Sequence, residues 1–146
     1  MWEEYLPGEL DRIAAFIKST EAQVVHANTA DMFWAVAAAK HSGLPSLWNI
    51  HESEPWQSYF DTLPVEYRRL AYWCFSHPYR VIFVSSGSKK QWASLESRHN
   101  FTVIHNGLDV NRLKQDYKQC DRQSVRKNLN IKDETIVFTL IGTVCE

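Results

Sequence analysis

Apolar and polar positions along this chain follow two distinct periods. Leu10, Ile13, Ala14 and Ile17 fall at i, i+3, i+4 and i+7, the stripe of an amphipathic helix that begins at Pro7 and Gly8. A short β-branched run follows, Val24-Val25 with Ala27, bounded by Thr20-Glu21 and Asn28-Thr29, and predicts a buried strand. Residues 29–42 are rich in alanine and stop at Gly43, with Pro45 just beyond, as a second helix would. The pattern then repeats. Leu47 to Ile50 reads as a strand, His51 to Pro55 as a polar loop, and Pro64 to Phe75 as a helix closed by His77-Pro78. Val81 to Val84 gives the clearest strand signal. Ser85 or Ser86 can cap a helix running to about Arg98, and Phe101 to Ile104 forms a fourth strand before the turn pair Asn106-Gly107.

From Asp109 to Asp133 the chain becomes charged and polar, like a linker, with a short helix expected over 123–129. Thr135 to Ile141 (TIVFTLI) then predicts a fifth strand. Strands alternating with helices imply an α/β fold: a Rossmann-like parallel sheet with flanking helices and right-handed crossovers. The last strand has no helix after it. Residues 1–133 are therefore expected to form a partial N-terminal domain with its linker, and 134–146 the first strand of a second, truncated domain. Four strands make a thin sheet, so further strands are expected on the N-terminal side.

Composition narrows the class without choosing a function. The 146 residues are 45% hydrophobic and 23% charged, with net charge -1, which gives no electrostatic reason to expect a nucleic-acid partner. Aromatics make up 13%, including six Trp, and can fill a core, line a sugar pocket or cover a partner surface. The cysteines Cys74, Cys120 and Cys145 are far apart and form no metal-ligand spacing, so free thiols in a reducing compartment are expected. No apolar run approaches the roughly 20 residues of a membrane span. Met1-Trp2-Glu3-Glu4 has no signal-peptide character, and a soluble, cytoplasmic protein is the expectation.

In an open parallel sheet, ligands bind beyond the carboxyl ends of the strands. The polar residues there are His26, Asn28 and Thr29; His51, Glu52 and Ser53; Ser85, Ser86 and Gly87; and His105, Asn106 and Gly107. His51 with Glu52 is the sharpest pair. A histidine at a strand end can orient a hydroxyl or act as a base near neutral pH, and a neighbouring glutamate can hold its tautomer or bind a second hydroxyl. The plainer alternative is a loop histidine bonded to nearby backbone. Ser85-Ser86-Gly87 can be a small anion nest or a simple helix cap. Asn106-Gly107 can line a ligand or merely supply positive φ in a turn. Trp48, Trp56, Tyr59 and Phe60 can stack on a sugar or pack in the core. No D-x-D pair, Walker-type glycine loop, G-x-G-x-x-G or nucleophile triad is present.

The succession VVHANT (24–29), LWNIHES (47–53), VIFVSSGSKKQW (81–92), VIHNGLDVNRL (103–113) and FTLIGTVCE (138–146) resembles the retaining glycosyltransferases of family 4, of GT-B architecture. The likeness extends over about residues 20–146, and the FVS and IHNGLD segments, about twenty residues apart, are its most specific part. The resemblance implies two Rossmann-like lobes, an acceptor lobe and a nucleotide-sugar lobe. By position, His51 corresponds to the family's active-site histidine, near the donor sugar. Asn106-Gly107 corresponds to the loop that leads toward the interlobe linker, and IGTVCE to the first donor-lobe strand. Asn28, Glu52, Ser85, Asn106 and Gly107 are the candidate substrate-binding residues. The family's N-terminal glycine-rich loop has no counterpart here, and its phosphate clamp and paired glutamates would lie beyond Glu146.

The expectation is thus a fragment of a retaining glycosyltransferase that moves a sugar from a nucleotide-sugar donor to a hydroxyl acceptor, lipid-linked or polysaccharide, without a metal or other cofactor. Such a fragment is expected to be inactive alone and to need its missing donor lobe. The resemblance also leaves room for peripheral contact with a membrane. The alternative is a non-catalytic α/β module that binds a partner, or itself, through an exposed sheet edge.

Overall fold

The computed structural model describes residues 7–139, which divide into two compact units at Asn106/Gly107. The first unit opens with α1 (Pro7–Ser19), whose stripe residues Leu10, Ala14 and Ile17 are buried as their spacing demands. Strand β1 (Val25–Asn28) leads through a 3-10 turn (Ala30–Met32) into α2 (Phe33–His41). Gly43 takes φ +73 just past that helix, and Leu44 N–H returns to the Ala39 carbonyl at 2.9 Å, so glycine is the residue this stop requires. Strand β2 (Ser46–Ile50) is followed by the short α3 (Trp56–Phe60) and by α4 (Val65–Cys74). Then come β3 (Arg80–Phe83), α5 (Ser86–Trp92) with a 3-10 turn (Ala93–Leu95), and β4 (Phe101–Val103). The expected helix to Arg98 therefore ends early.

All four strands are parallel and lie in sequence order, β1-β2-β3-β4. Parallel strands added in one direction through right-handed crossovers place every connecting helix on the same face. Burial agrees with that rule. Ala27, Trp48, Val81 and Phe101 stand in one register row, Ile50 and Phe83 in another, and all six are buried. The alternate residues, His26, Asn28, Leu47, Asn49, Arg80, Ile82 and Thr102, are half-buried or exposed. β1 is an edge strand in which only Ala27 is buried, which corrects the buried strand expected over 24–27. Small residues set the packing distance: Val36, Ala37, Ala38 and Ala39 let α2 contact β1, β2, α1 and α4 closely.

The aromatic residues fill this core. Phe60, Phe75 and Trp92 meet at centroid distances of 5.7 to 6.1 Å, and Trp48 lies on Phe75 at 4.4 Å. The buried Asn100 donates to the carbonyls of Phe75 (3.0 Å) and Pro78 (3.1 Å), which ties the end of α4 to the start of β4. Cys74 is buried with its thiol on the Phe33 carbonyl at 3.3 Å, and burial pushes that thiol far above its ordinary range. Cys74 and the exposed Cys120 are free thiols. No helix among the described residues is long and apolar enough to cross a membrane.

His77, just past the end of α4, is half-buried. Its ring lies against Trp73 at 3.7 Å, and its buried Nε2 has no hydrogen-bond partner among the described residues. Burial first, then the cations Lys40 and Arg98, hold the imidazole below its ordinary value of 6.5. As pH falls, the unfolded chain takes up this proton before the folded one. The contribution to stability is complete above the unfolded value and is lost as pH drops through the lowered folded value. Urea midpoints at about pH 7.5 and about pH 5.5 are expected to differ less in His77→Gln than in the native chain. An unchanged difference would reject this assignment.

The second unit contains α6 (Val110–Gln119) and α7 (Arg122–Asn128), each capped by an aspartate. Asp109 accepts from Arg112 N–H and Asp121 from Gln123 N–H, both at 3.0 Å. α6 was hidden in the stretch read as a polar linker, while the expected short helix over 123–129 is α7 displaced by one residue. Arg126 is the one buried residue among those described in this unit. Its Nη2 donates to the carbonyls of Lys132, of Asp133 at 3.3 Å and of Thr135 at 2.8 Å. Residues 135–139 form no strand and are exposed, which corrects the described part of the fifth strand; residues 140–146, with IGTVCE, lie outside the described residues.

Candidate functional site

The carboxyl ends of β1 and β2 bring three of the sequence candidates together. At the end of β1 the chain turns sharply: Thr29 has φ 87 and ψ 157, a conformation that costs a residue with a Cβ about 1–3 kcal/mol. Hydrogen bonds hold it there. Thr29 N–H donates to the Asn49 carbonyl at 2.8 Å, and its own carbonyl accepts from the Trp48 indole at 2.8 Å. The turn leaves Asn28, the last residue of β1, beside His51, the first residue after β2.

Glu52 fastens the two strand ends to each other. One carboxylate oxygen accepts from Ala30 N–H at 3.1 Å and the other from His51 N–H at 2.9 Å. Charge-assisted bonds of this kind are among the stronger ones. The carboxylate expected to bind a substrate hydroxyl is thus engaged with backbone on both oxygens. Two side chains of α5 hold the loop from the other side: Ser88 Oγ donates to the Glu52 carbonyl, and Trp92 Nε1 to the Glu54 carbonyl at 3.0 Å. Ser88 and Trp92 lie at i and i+4 on one helix face, so α5 grips the loop at two carbonyls.

His51 is exposed, and its Nε2 lies 2.8 Å from Asn28 Oδ1 and 2.9 Å from Asn49 Nδ2. Asn28 and Asn49 are a register pair on the same face of the sheet, 3.3 Å apart between amide atoms. Asn49 was missed in the sequence. Its signal was present: a polar residue inside the apolar run LWNI, at the alternate position that faces away from the core.

The remaining candidates lie elsewhere or are otherwise employed. Ser85 is the N-cap of α5 and accepts from Ser88 N–H at 3.0 Å, so the capping alternative holds for its oxygen. Asn106 and Gly107 are exposed, belong to no turn, and Gly107 does not adopt positive φ, which corrects the turn reading. His26 is exposed on the open sheet face, and His105 Nδ1 lies 3.1 Å from the Val84 carbonyl. The aromatic candidates are packing residues. Trp48 and Phe60 are buried, the Trp56 indole donates to Ser94 Oγ at 2.9 Å, and Tyr59 packs on Trp92 at 5.7 Å. Burial, followed by the carboxylates Glu54 and Glu52, pushes the Tyr59 hydroxyl above its ordinary value.

An imidazole at the carboxyl end of a parallel sheet, flanked by amides and backed by a carboxylate that braces the loop, can hydrogen-bond a polyhydroxyl ligand. The comparisons with known proteins bear on the family and the fold. Residues 3–112 match a family model described as Glycosyltransferase Family 4. The chain is also similar to the crystal structure of HepE from Anabaena in complex with UDP, at 19% identity and a TM-score of 0.58. That likeness concerns the fold. It covers 81% of this chain and 32% of the other, so this chain spans about a third of the solved protein. None of the curated proteins matches it.

Proposed function

Since this chain belongs to glycosyltransferase family 4, we propose that it is the later part of the acceptor-side lobe of a retaining enzyme, which passes a sugar from a nucleotide-sugar to a hydroxyl acceptor. The observation that carries this reading is the placement of His51. It stands exposed just past β2 with its loop braced on two sides, where an open parallel sheet takes its ligand. In the complete enzyme His51 contacts the transferring sugar, and Asn28 and Glu52 shape the edge around it. Residues 134–146 begin the donor lobe in this reading, and the transfer is metal-independent, as the resemblance implies.

The carboxylates of the loop after β2 bear on what the chain does alone. A nucleoside diphosphate needs cationic partners, and the carboxylates Glu52 and Glu54 near Tyr59 oppose it. Calorimetric titration of the 146-residue chain with UDP, GDP and their sugar conjugates is expected to show no saturable binding. The chain continued into a family 4 donor lobe is expected to bind and to transfer. Tight binding by the short chain alone would overturn the assignment of its residues to the acceptor side.

A second reading, a non-catalytic module that docks on a partner, is favoured by the β1 edge, just before which Val24 is 51% exposed. A concentration-dependent sedimentation coefficient, with no transfer in the extended protein, would favour it.

A further inference from the structure

Three polar atoms meet pairwise at the ends of β1 and β2: His51 Nε2 with Asn28 Oδ1 at 2.8 Å, His51 Nε2 with Asn49 Nδ2 at 2.9 Å, and the two amide atoms at 3.3 Å. A hydrogen bond needs a donor on one side and an acceptor on the other. Three atoms in mutual contact cannot all be paired that way, because two of them must share a role. One contact is therefore between like atoms; as placed, the Asn49 amide N–H donates to Asn28 Oδ1 over the longest contact, and turning that amide gives up this bond to satisfy the two short ones. The two short contacts are then both satisfied when the amides share one role and Nε2 takes the opposite one.

Two arrangements meet this condition. In the first, Nε2 carries its proton and forks it between the oxygens of Asn28 and Asn49, with the Asn49 amide turned so that its oxygen faces the ring. In the second, both amides point N–H groups at the single in-plane lone pair of Nε2. A forked N–H is a common arrangement, whereas two donors crowd one lone pair. The first also survives protonation of the ring, since Nε2 remains a donor in the imidazolium, while the second is destroyed by it. Asn28 Oδ1 already faces the ring as the first arrangement requires.

We propose that Asn28 and Asn49 are positioning residues that hold His51 as its Nε2–H tautomer and leave the Nδ1 lone pair to meet the ligand. Nδ1 has no hydrogen-bond partner among the described residues, and the residue is exposed. An unprotonated Nδ1 accepts from a hydroxyl and repels phosphate oxygens. Resting on the glycosyltransferase reading, this makes the group against His51 a sugar hydroxyl and not the diphosphate. Asn28 is thereby moved from ligand contact to support of the histidine.

The test uses the 146-residue chain labelled with ¹⁵N, without donor or acceptor, at a pH where the ring is neutral. Long-range ¹H–¹⁵N correlation is expected to show His51 Nε2 in the protonated range and Nδ1 in the unprotonated range, as one tautomer. A His51→Gln variant identifies the signals, and the exposed His99 serves as an internal reference for a histidine in tautomer exchange. In the Asn28→Ala/Asn49→Ala variant the His51 nitrogens are expected to move to the averaged positions of His99. A predominant Nδ1–H form, or native His51 signals already averaged like those of His99, would overturn the proposal. Failure of the tautomer leaves the transferase reading standing, and absence of transfer leaves the tautomer standing.

Discussion

Trp92→Ala is expected to lower the stability of the first unit by about 3–5 kcal/mol, as truncation of a fully buried tryptophan does. Trp92 has no exposed surface and packs on Phe60, Phe75, Phe83 and Tyr59. Its removal opens a cavity at the meeting point of α3, α5 and the sheet. It also takes the indole N–H from the Glu54 carbonyl. Domains of this size have only about 5–15 kcal/mol in total, so the variant should melt roughly 15 °C lower. Trp92→Phe separates the two contributions, because it keeps most of the ring volume and loses the donor. A cost under about 1 kcal/mol for Trp92→Ala would mean that the aromatic cluster is not packed as described.

Glu52→Ala ranks second, at about 2–3 kcal/mol. Bonds to a charged group contribute about 1.5–3 kcal/mol each, and Glu52 makes two, but its partial exposure lets water recover part of the loss. The loss falls on a backbone already held in an unfavourable conformation at Thr29. Glu52→Gln is not a mild substitution here. An amide offers one acceptor and one NH₂ group, and the NH₂ must face one of two backbone N–H groups. Urea denaturation measures the total cost, and hydrogen exchange at the Ala30 and His51 amides localises it. If those amides exchange at native rates in Glu52→Ala, the carboxylate does not brace the loop.

The parts of this fold legible in the sequence were those written in local spacing. The α1 stripe, the glycine stop after α2, the serine cap on α5 and the three interior apolar runs each involve residues within one or two turns of each other. So did the location of His51, since the strand before it and the polar loop after it are both visible. What escaped depends on register across strands. Asn49 becomes a site residue only when β1 and β2 are aligned so that Asn28 lies opposite it, and no periodicity along one strand reveals that. The bonds of Glu52 and the packing of the aromatics were not legible for a related reason. Their partners, Ala30, Ser94 and Trp92, are 22 to 38 positions away or across a helix layer, so a free functional group could not be told from an occupied one. In the second unit, polar composition hid α6, although Val110, Leu113 and Tyr117 stand at helical spacing behind Asp109. TIVFT looked like a strand because it is apolar and β-branched, but residues 135–139 form no strand pairing among the described residues.

The sequential strand order also bears on how the first unit assembles. Each strand pairs only with the one before and after it, and paired residues are about 20 to 33 positions apart along the chain. The entropy of closing such loops is modest and nearly the same at every step. No strand has to wait for a distant segment to arrive, as the central strand of a doubly wound sheet must. The sheet can therefore grow in the direction in which a ribosome delivers it. Each new strand, with the helix leading into it, is laid against an edge that is already formed.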